Sequence, residues 1–288
     1  MKDKKKIILY PNAERDIGFK LTKKVAEMLN KRGREISFCP MFDAYIKIGK
    51  TELESKDLLE ELPGAEMIIT FGGDGTILRA ARAAAEANVP ILGMNLGGKG
   101  FLAELETKDI GLLDKIAKGE YKIECRMMLD IEIKRNGETL YKDFALNDVV
   151  IRGDNKVVDL MLFGDGEEIL HFSGDGAVIA TPTGSTAYSM SAGGPIVEEA
   201  ADNIIVTPIC AHELMAKSFV LISDRRVSVE MGHRKHNPAH ISVDGGDYQA
   251  IASGDIINVF KSEKCTRLVR LSNRSFYKKV SEKLGERA

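Results

Sequence analysis

The first 120 residues alternate apolar strands with amphipathic helices, and this alternation narrows the possible folds more than anything else in the sequence. KKIILY (Lys5 to Tyr10) reads as a strand, and Asn12 to Lys31 as an amphipathic helix stopped by Gly33. EISFC is a second strand and TELESKDLLEEL a second helix. AEMIITF is a strand of the fully buried kind that runs straight into GGDG, and TILRAARAAAEAN is an Ala-rich helix. VPILGMN, the glycine-rich LGGKG and the helical TKDIGLLDKIAKG complete the series. Strand, helix, strand, helix at this spacing requires a parallel sheet with helices on both faces.

From Tyr121 the pattern changes to period two. YKIECRMMLDIEIKRNGETLYKDFALNDVVIR carries an Asn136-Gly137 turn of the hairpin type, and short β-rich runs continue to TRLVRL. Only STAYSMSAGG interrupts them with a short helix. This is the pattern of an antiparallel, sandwich-like domain. SFYKKVSEKLGERA then returns to helix composition. The expected organisation is an α/β domain over 1–120, a β-rich domain over 121–270, and a helical segment over 271–288 that packs on the first domain.

Charge and cysteine content exclude several classes. Forty-one Lys and Arg against 43 Asp and Glu leave a formal charge of −2, so bulk charge does not draw the chain to nucleic acid or anionic membrane. No apolar run is long enough to span a bilayer, and the Lys-rich start is too polar for a secretory signal. Cys39, Cys125, Cys210 and Cys265 lie far apart with no CxxC pair, which suits reduced thiols and a cytoplasmic location.

Three segments carry chemistry. In FGGDGTILRAA, a buried strand delivers Gly72, Gly73, Asp74, Gly75 and Thr76 to the start of a helix. Ligands of open α/β sheets bind at the carboxyl ends of strands. Bare glycine backbone and a helix N-terminus together suit an anion. The run is neither a Walker A loop, having no Lys-Ser or Lys-Thr, nor GxGxxG. A carboxylate inside a phosphate cradle repels phosphate, unless it holds Mg²⁺ or takes a proton from an attacking hydroxyl. The bland alternative is a tight turn in which Asp74 caps the helix; Thr76 and the basic Arg79 favour function.

In FALNDVVIR, Asn147 and Asp148 interrupt an apolar alternation. An amide suits a nucleobase edge and a carboxylate accepts from ribose hydroxyls, although Asn-Asp is also a common turn dipeptide. In FSGDGAVIATPTGSTAYSMSAGGP, Asp175 stands between glycines, and Thr183 to Tyr188 cluster hydroxyls with small residues. Tyr188 adds a flat face for stacking.

Taken together, GGDGT, the Asn147-Asp148 pair, and GDG…TPTGSTAYSMSAGGP resemble the NAD kinase family in order and spacing. TPICAHELMAKSFVL and SVDGG (Ser242 to Gly246) extend the resemblance over nearly the whole chain. GGDGT is shared with diacylglycerol and sphingosine kinases and resembles the GGDGS of phosphofructokinases; TPTGSTAY is far more specific. The resemblance implies a Rossmann-like, phosphofructokinase-like α/β domain and a β-sandwich-like domain, with the C-terminal segment returning to the first. It also implies phosphorylation of the adenosine-ribose 2′-hydroxyl of NAD by ATP with a divalent metal, Mg²⁺, giving NADP.

On this resemblance Asp74 is the proton acceptor, and Gly72, Gly73, Gly75 and Thr76 hold phosphate. The NAD site comprises Asp74, Gly75, Arg79, Asn147, Asp148, Ser173, Asp175, Thr186, Ala187, Tyr188, Ser189, Met190 and Ser191. Metal ligands are unassigned. Dimers or tetramers are implied, with a neighbour contributing to the NAD site.

Two positions depart from the family. Ser173 stands where several relatives have a basic residue, and Gly246 where others have Gln, the one glutamine here being Gln249. His212 lies where the family also has histidine, which suggests a structural or interfacial role. The intervals of His233, His236 and His240 are read as a solvated, charged turn rather than a metal site, and Met127-Met128 as core filler. The rival readings are a lipid or sugar kinase sharing only the phosphate loop, and a non-catalytic NAD-binding sensor.

Overall fold

Met67 to Gly72 are six consecutive buried residues, which only a strand covered on both faces can accommodate. The computed structural model describes residues 6–41, 44–48, 51–97, 100–232, 237–272 and 275–285. It divides the chain into two compact units, Met1–Cys125 with Thr266–Ala288, and Arg126–Cys265.

In the first unit, strand Ala65–Gly72 is central. It pairs in parallel with Lys6–Pro11 on one side and Ile91–Asn95 on the other, and Lys6–Pro11 pairs in parallel with Glu35–Phe38. Ile7, Leu9, Met67, Ile69, Phe71, Leu92 and Met94 share a core with Val25, Ala26 and Leu29 of helix Lys20–Lys31. Helix Asp74–Glu86 buries Thr76, Ile77, Ala80, Ala81 and Ala84, a stripe at helical spacing whose small side chains permit close packing.

Three helices differ from their expected form. Residues before Lys20 form a turn and a short 3₁₀ segment, Ile17–Phe19. The buried Asp16 carboxylate accepts from the amides of Leu21 and Thr22, holding the helix start at Lys20 rather than at Asn12. TELESKDLLEEL is not one helix. Thr51–Glu54 is a strand antiparallel to Tyr45–Ile48, and only Leu58–Glu61 is helical. The Asp57 side chain accepts from the amides of Leu59 and Glu60, so the helix begins there, and β-pairing takes the preceding residues. TKDIGLLDKIAKG splits into 3₁₀ Thr107–Leu113 and helix Asp114–Lys118, ended by Gly119 at φ 72°.

The second unit contains two antiparallel layers. Strands Glu167–Gly174, Val158–Gly164, Val227–Met231 and Asp255–Arg270 lie in that order in one. The other runs Phe219–Ile222, Asn203–Ile209, Gly176–Ala180, Asp148–Gly153, Ala239–Val243, Gln249–Ile251. Val149, Ile151, Ile179, Val206 and Ile241 of one share a core with Leu160, Leu162, Val229 and Val259 of the other. This is a sandwich built on alternate residues. Asn136 and Gly137, at φ 50° and 84°, make the hairpin turn between Lys122–Arg135 and Glu138–Ala145. No described helix is long and apolar enough to cross a membrane.

Candidate active site

At the end of strand Ala65–Gly72 the chain turns into helix Asp74–Glu86 with Gly73 as the extended cap residue. Asp74 is therefore the first helical residue and does not cap; its carboxylate reaches another segment. Oδ2 accepts from the Phe101 amide at 2.7 Å and Oδ1 from the Leu102 amide at 3.1 Å, with a further contribution from the Ala103 amide. Gly100 thus serves the Asp74 turn, since a side chain on it would stand 2.8 Å from Oδ1. Burial raises the proton affinity of Asp74; those amides and the Lys279 ammonium lower it, and the net shift is upward.

The glycines act by lacking a side chain, since neither Gly72, Gly73 nor Gly75 adopts a positive φ. A Cβ on Gly72 would fall 2.1 Å from Thr76 Oγ1, so Gly72 and the buried Thr76 lock the turn, and the Thr76 hydroxyl faces inward. Gly73 and Gly75 have open space where a Cβ would point, which leaves room for a ligand at the helix N-terminus. Arg79 is exposed one turn on and acts on Tyr10.

In the second unit the two other segments interlock. The Asn147 carbonyl accepts from the Thr181 amide at 2.9 Å, and Thr181 Oγ1 donates to the Leu146 carbonyl at 2.6 Å. Any side chain on Gly184 would strike the Asn147 carbonyl, its Cβ only 2.0 Å away. The Tyr188 amide donates to the Asp148 carboxylate. TPTGSTAY therefore builds one wall of the site that Asn147 and Asp148 begin.

Asp244, the aspartate of SVDGG, ties the turn together. Held at φ 49°, it accepts from the amides of Leu146 (2.7 Å), Asn147 (2.7 Å) and Asp148 (3.1 Å). Burial, then the nearby Asp244 charge, push Asp148 up to about 7. Burial raises Asp244 too, against the three amides that lower it.

A cleft of about 310 Å³ opens here, lined by Asn147, Asp148, Ala187, Tyr188, Ser242 and Asp244 together with Arg152, His240 and Tyr248. A cavity of about 690 Å³ shares Arg152, His240 and Tyr248 with it and adds Asp154 and Asp175. Strand period explains the set. Asp148, Val150 and Arg152 share a face, and on the next strand Ser242 lies opposite Val150 and His240 opposite Arg152. That alternation was visible in LNDVVIR; its pairing with HISVD was not.

Other residues are placed differently from what their motifs suggest. His240 is not a solvated turn residue. It lies on strand Ala239–Val243, its ring bonded to Asp154 and its centroid 4.2 Å from that of Tyr248 at a tilt of 39°. His233 and His236 lie outside the described residues. Ser189 is buried with its hydroxyl on Thr207. Thr186 donates to the Thr183 carbonyl, Ser191 is exposed, and neither lines the cleft, nor does Met190. Ser173 donates through its hydroxyl to Asp159 and through its amide to Glu213.

The arrangement defines a class: an α/β unit whose strand-to-helix turn offers open backbone and a half-buried carboxylate, in one chain with a β-sandwich bearing a polar cleft. Sequence profiles place it further. Residues 12–121 match the ATP-NAD kinase N-terminal domain and residues 146–271 the ATP-NAD kinase C-terminal domain, so the chain belongs to the NAD kinase family. It is 34% identical over 286 residues to an NAD kinase of Ruminiclostridium cellulolyticum, covering 98% of this chain and 99% of that one. Yeast NADH kinase complexed with NADH superposes with a TM-score of 0.84 at 22% identity, covering 100% of this chain and 89% of that one. An NAD kinase from Archaeoglobus fulgidus in complex with ATP superposes with a TM-score of 0.71 at 24% identity, covering 97% of each. At these identities the two structures establish a shared fold.

Proposed function

We propose that this protein transfers the γ-phosphoryl group of ATP to the 2′-hydroxyl of the adenosine ribose of NAD, giving NADP and ADP. The observation that carries this reading is the Asp74 carboxylate, fixed at a helix N-terminus by the amides of Phe101 and Leu102 beside the open backbone of Gly73 and Gly75. In the reaction the ribose oxygen bonds to the γ-phosphorus, the bond from that phosphorus to the bridging oxygen breaks, and ADP leaves. Asp74 takes the hydroxyl proton, for which its burial-raised proton affinity suits it. Gly72, Gly73 and Gly75 shape the phosphate-binding turn, and Thr76 acts by locking it.

The unit Arg126–Cys265 holds NAD in this reading. Asn147 and Asp148 recognise the nucleoside, Ala187 and Tyr188 wall the cleft, and Asp175 lines the adjoining cavity. Thr186 and Ser189 support that wall through the Thr183 carbonyl and the Thr207 hydroxyl, Ser173, Met190 and Ser191 lie outside the cleft lining, and Arg79 stands at the edge of the phosphate turn. The ligands of the two related structures, NADH and ATP, support a nicotinamide dinucleotide and ATP as the substrate classes.

Among the described residues no three or more His, Cys, Asp or Glu side chains form a cation site. Mg²⁺ usually keeps several waters and is bound with the substrate phosphates, so in this reading the ion enters with ATP. Asp74 is assigned the proton in this reading. The assay is purified protein with ATP, Mg²⁺ and NAD, coupled to an NADP-specific dehydrogenase, with a chelator control. NADP formation that stops on chelation is the expected result; retained NAD binding with no NADP would instead mark a sensor. We further propose a cytoplasmic dimer or tetramer, checked by cell fractionation and by light scattering at assay concentration.

A further inference from the structure

The segment after the glycine loop is gripped from both ends of its peptide groups. Its amides at Phe101, Leu102 and Ala103 point to Asp74, while its carbonyls point to cations from the C-terminal part of the chain. Lys279, on helix Phe276–Leu284, donates from Nζ to the Phe101 carbonyl at 3.1 Å. Arg270 donates to the Leu102 carbonyl at 3.3 Å. The Phe101 carbonyl and the Leu102 amide belong to one peptide group, so Lys279 and Asp74 sit at its opposite poles. A cation on the oxygen draws electron density from the nitrogen and strengthens the bond that its N–H makes, the cooperative effect of hydrogen-bonded chains.

We propose that Lys279 is a positioning residue for the phosphoryl-transfer centre, acting through the Phe101–Leu102 peptide to hold Asp74 in its ionised, proton-accepting form. The inference rests on Asp74 being the base. The entry of the C-terminal helix is itself pinned to the same region. The Glu104 carboxylate accepts from the amides of Leu271 and Ser272, at 3.0 and 2.8 Å, and from the Ser272 hydroxyl at 2.7 Å. Of the charged groups around Asp74, Lys279 acts on it most. The others are engaged elsewhere: Arg270 pairs with Glu104 and Glu124, Lys283 with Glu106, Arg15 lies against Gly97, and Arg79 acts on Tyr10. Lys99 lies outside the described residues.

The test is Lys279→Met and Lys279→Arg, with kcat and KM for NAD measured across pH, and a ¹³C titration of the Asp74 carboxyl by NMR in parent and variants. An opposite charge nearby lowers a carboxyl pKa, so its removal should move the acid limb of kcat/KM upward by about one pH unit. That is about a tenfold loss at a pH on the limb, recovering towards the parent at alkaline pH, with KM for NAD little changed. The NMR titration should move by the same amount, and Lys279→Arg should restore both. An unmoved titration and acid limb in Lys279→Met, or a loss equal at every pH, overturns the proposal. Asp74→Asn serves as the control: near-normal turnover there removes the base assignment and this inference together, whereas a dead Asp74→Asn beside an unshifted Lys279→Met removes the Lys279 role alone.

Discussion

Each unit contains an aspartate followed by glycine whose carboxylate gathers consecutive backbone amides, yet the two serve opposite ends. Asp74 draws on Phe101 and Leu102, with Lys279 to favour its charge. Asp244 draws on Leu146, Asn147 and Asp148, with Asp143 and Asp148 as acidic neighbours. In the first case the loop organises the carboxylate, which takes the proton in the proposed reaction. In the second the carboxylate organises the loop, and the neighbouring residues Asn147 and Asp148 line the cleft. A half-buried acid holding three amides is thus no signature of catalysis; what separates the two is the open, positively polarised helix start beside Asp74.

The largest effect should come from Asp74→Asn. The side chain keeps its size but cannot take a proton, so kcat should fall by about 10² to 10⁴ while a thermal melt and an NAD titration stay close to the parent. Near-normal kcat would make Asp74 a second Asp244, a purely organising group.

Asp244→Asn should behave in the reverse way. One carboxylate oxygen becomes an NH₂ facing amides that need an acceptor, and losing a hydrogen bond of this kind costs about 1.5–3 kcal/mol. Asn tolerates a positive φ, so backbone strain is not added. Both Tm and NAD affinity should drop together, the affinity through the displaced Asn147-Asp148 turn. A lowered Tm with unaltered NAD affinity would show that the turn does not face the ligand.

Asn147→Ala is milder. It removes an amide from the cleft while the backbone bonds to Asp244 and Thr181 persist, so NAD should bind roughly tenfold more weakly with Tm nearly unchanged. A change in Tm alone would make Asn147 a turn former only.

A further effect is a pH dependence of stability at Asp148. Its pKa in the folded protein is about 7, above the ordinary carboxylate value that it has in the unfolded chain. Where the folded pKa is raised, the native state binds the proton more tightly, so stability falls as pH rises from the carboxylate range towards 7 and then levels off. Asp148→Asn should flatten that fall in a Tm series from pH 4 to 8. An unchanged slope would mean that Asp148 is ionised throughout.

Legibility differed between the two regions in the same way. The parallel strands around AEMIITF and the GGDG turn were readable because strand, turn and helix follow one another in sequence. The Asn136-Gly137 hairpin was readable because its dihedrals depend on two residues. TELESKDLLEEL was misread because its helical composition lost to β-pairing with Tyr45–Ile48, a contact composition does not express. Arg152, His240 and Tyr248 went unassigned to the cleft, and His240 was taken for a solvated residue. Their place follows from the pairing of Asp148–Gly153 with Ala239–Val243 across some ninety positions of chain.

By itself the sequence determined the class of each half, the glycine-aspartate turn and the residues at its centre, because these depend on local periodicity and on side-chain chemistry. Only the tertiary structure decided which way those side chains face. It turned Thr76 and Ser189 inward, set Asp74 on the amides of a loop 27 residues away, and brought Lys279 from the end of the chain to the far pole of the same peptide. The physical reason is that a buried carboxylate must find donors wherever the fold supplies them, and nothing local in a sequence records where those donors come to rest.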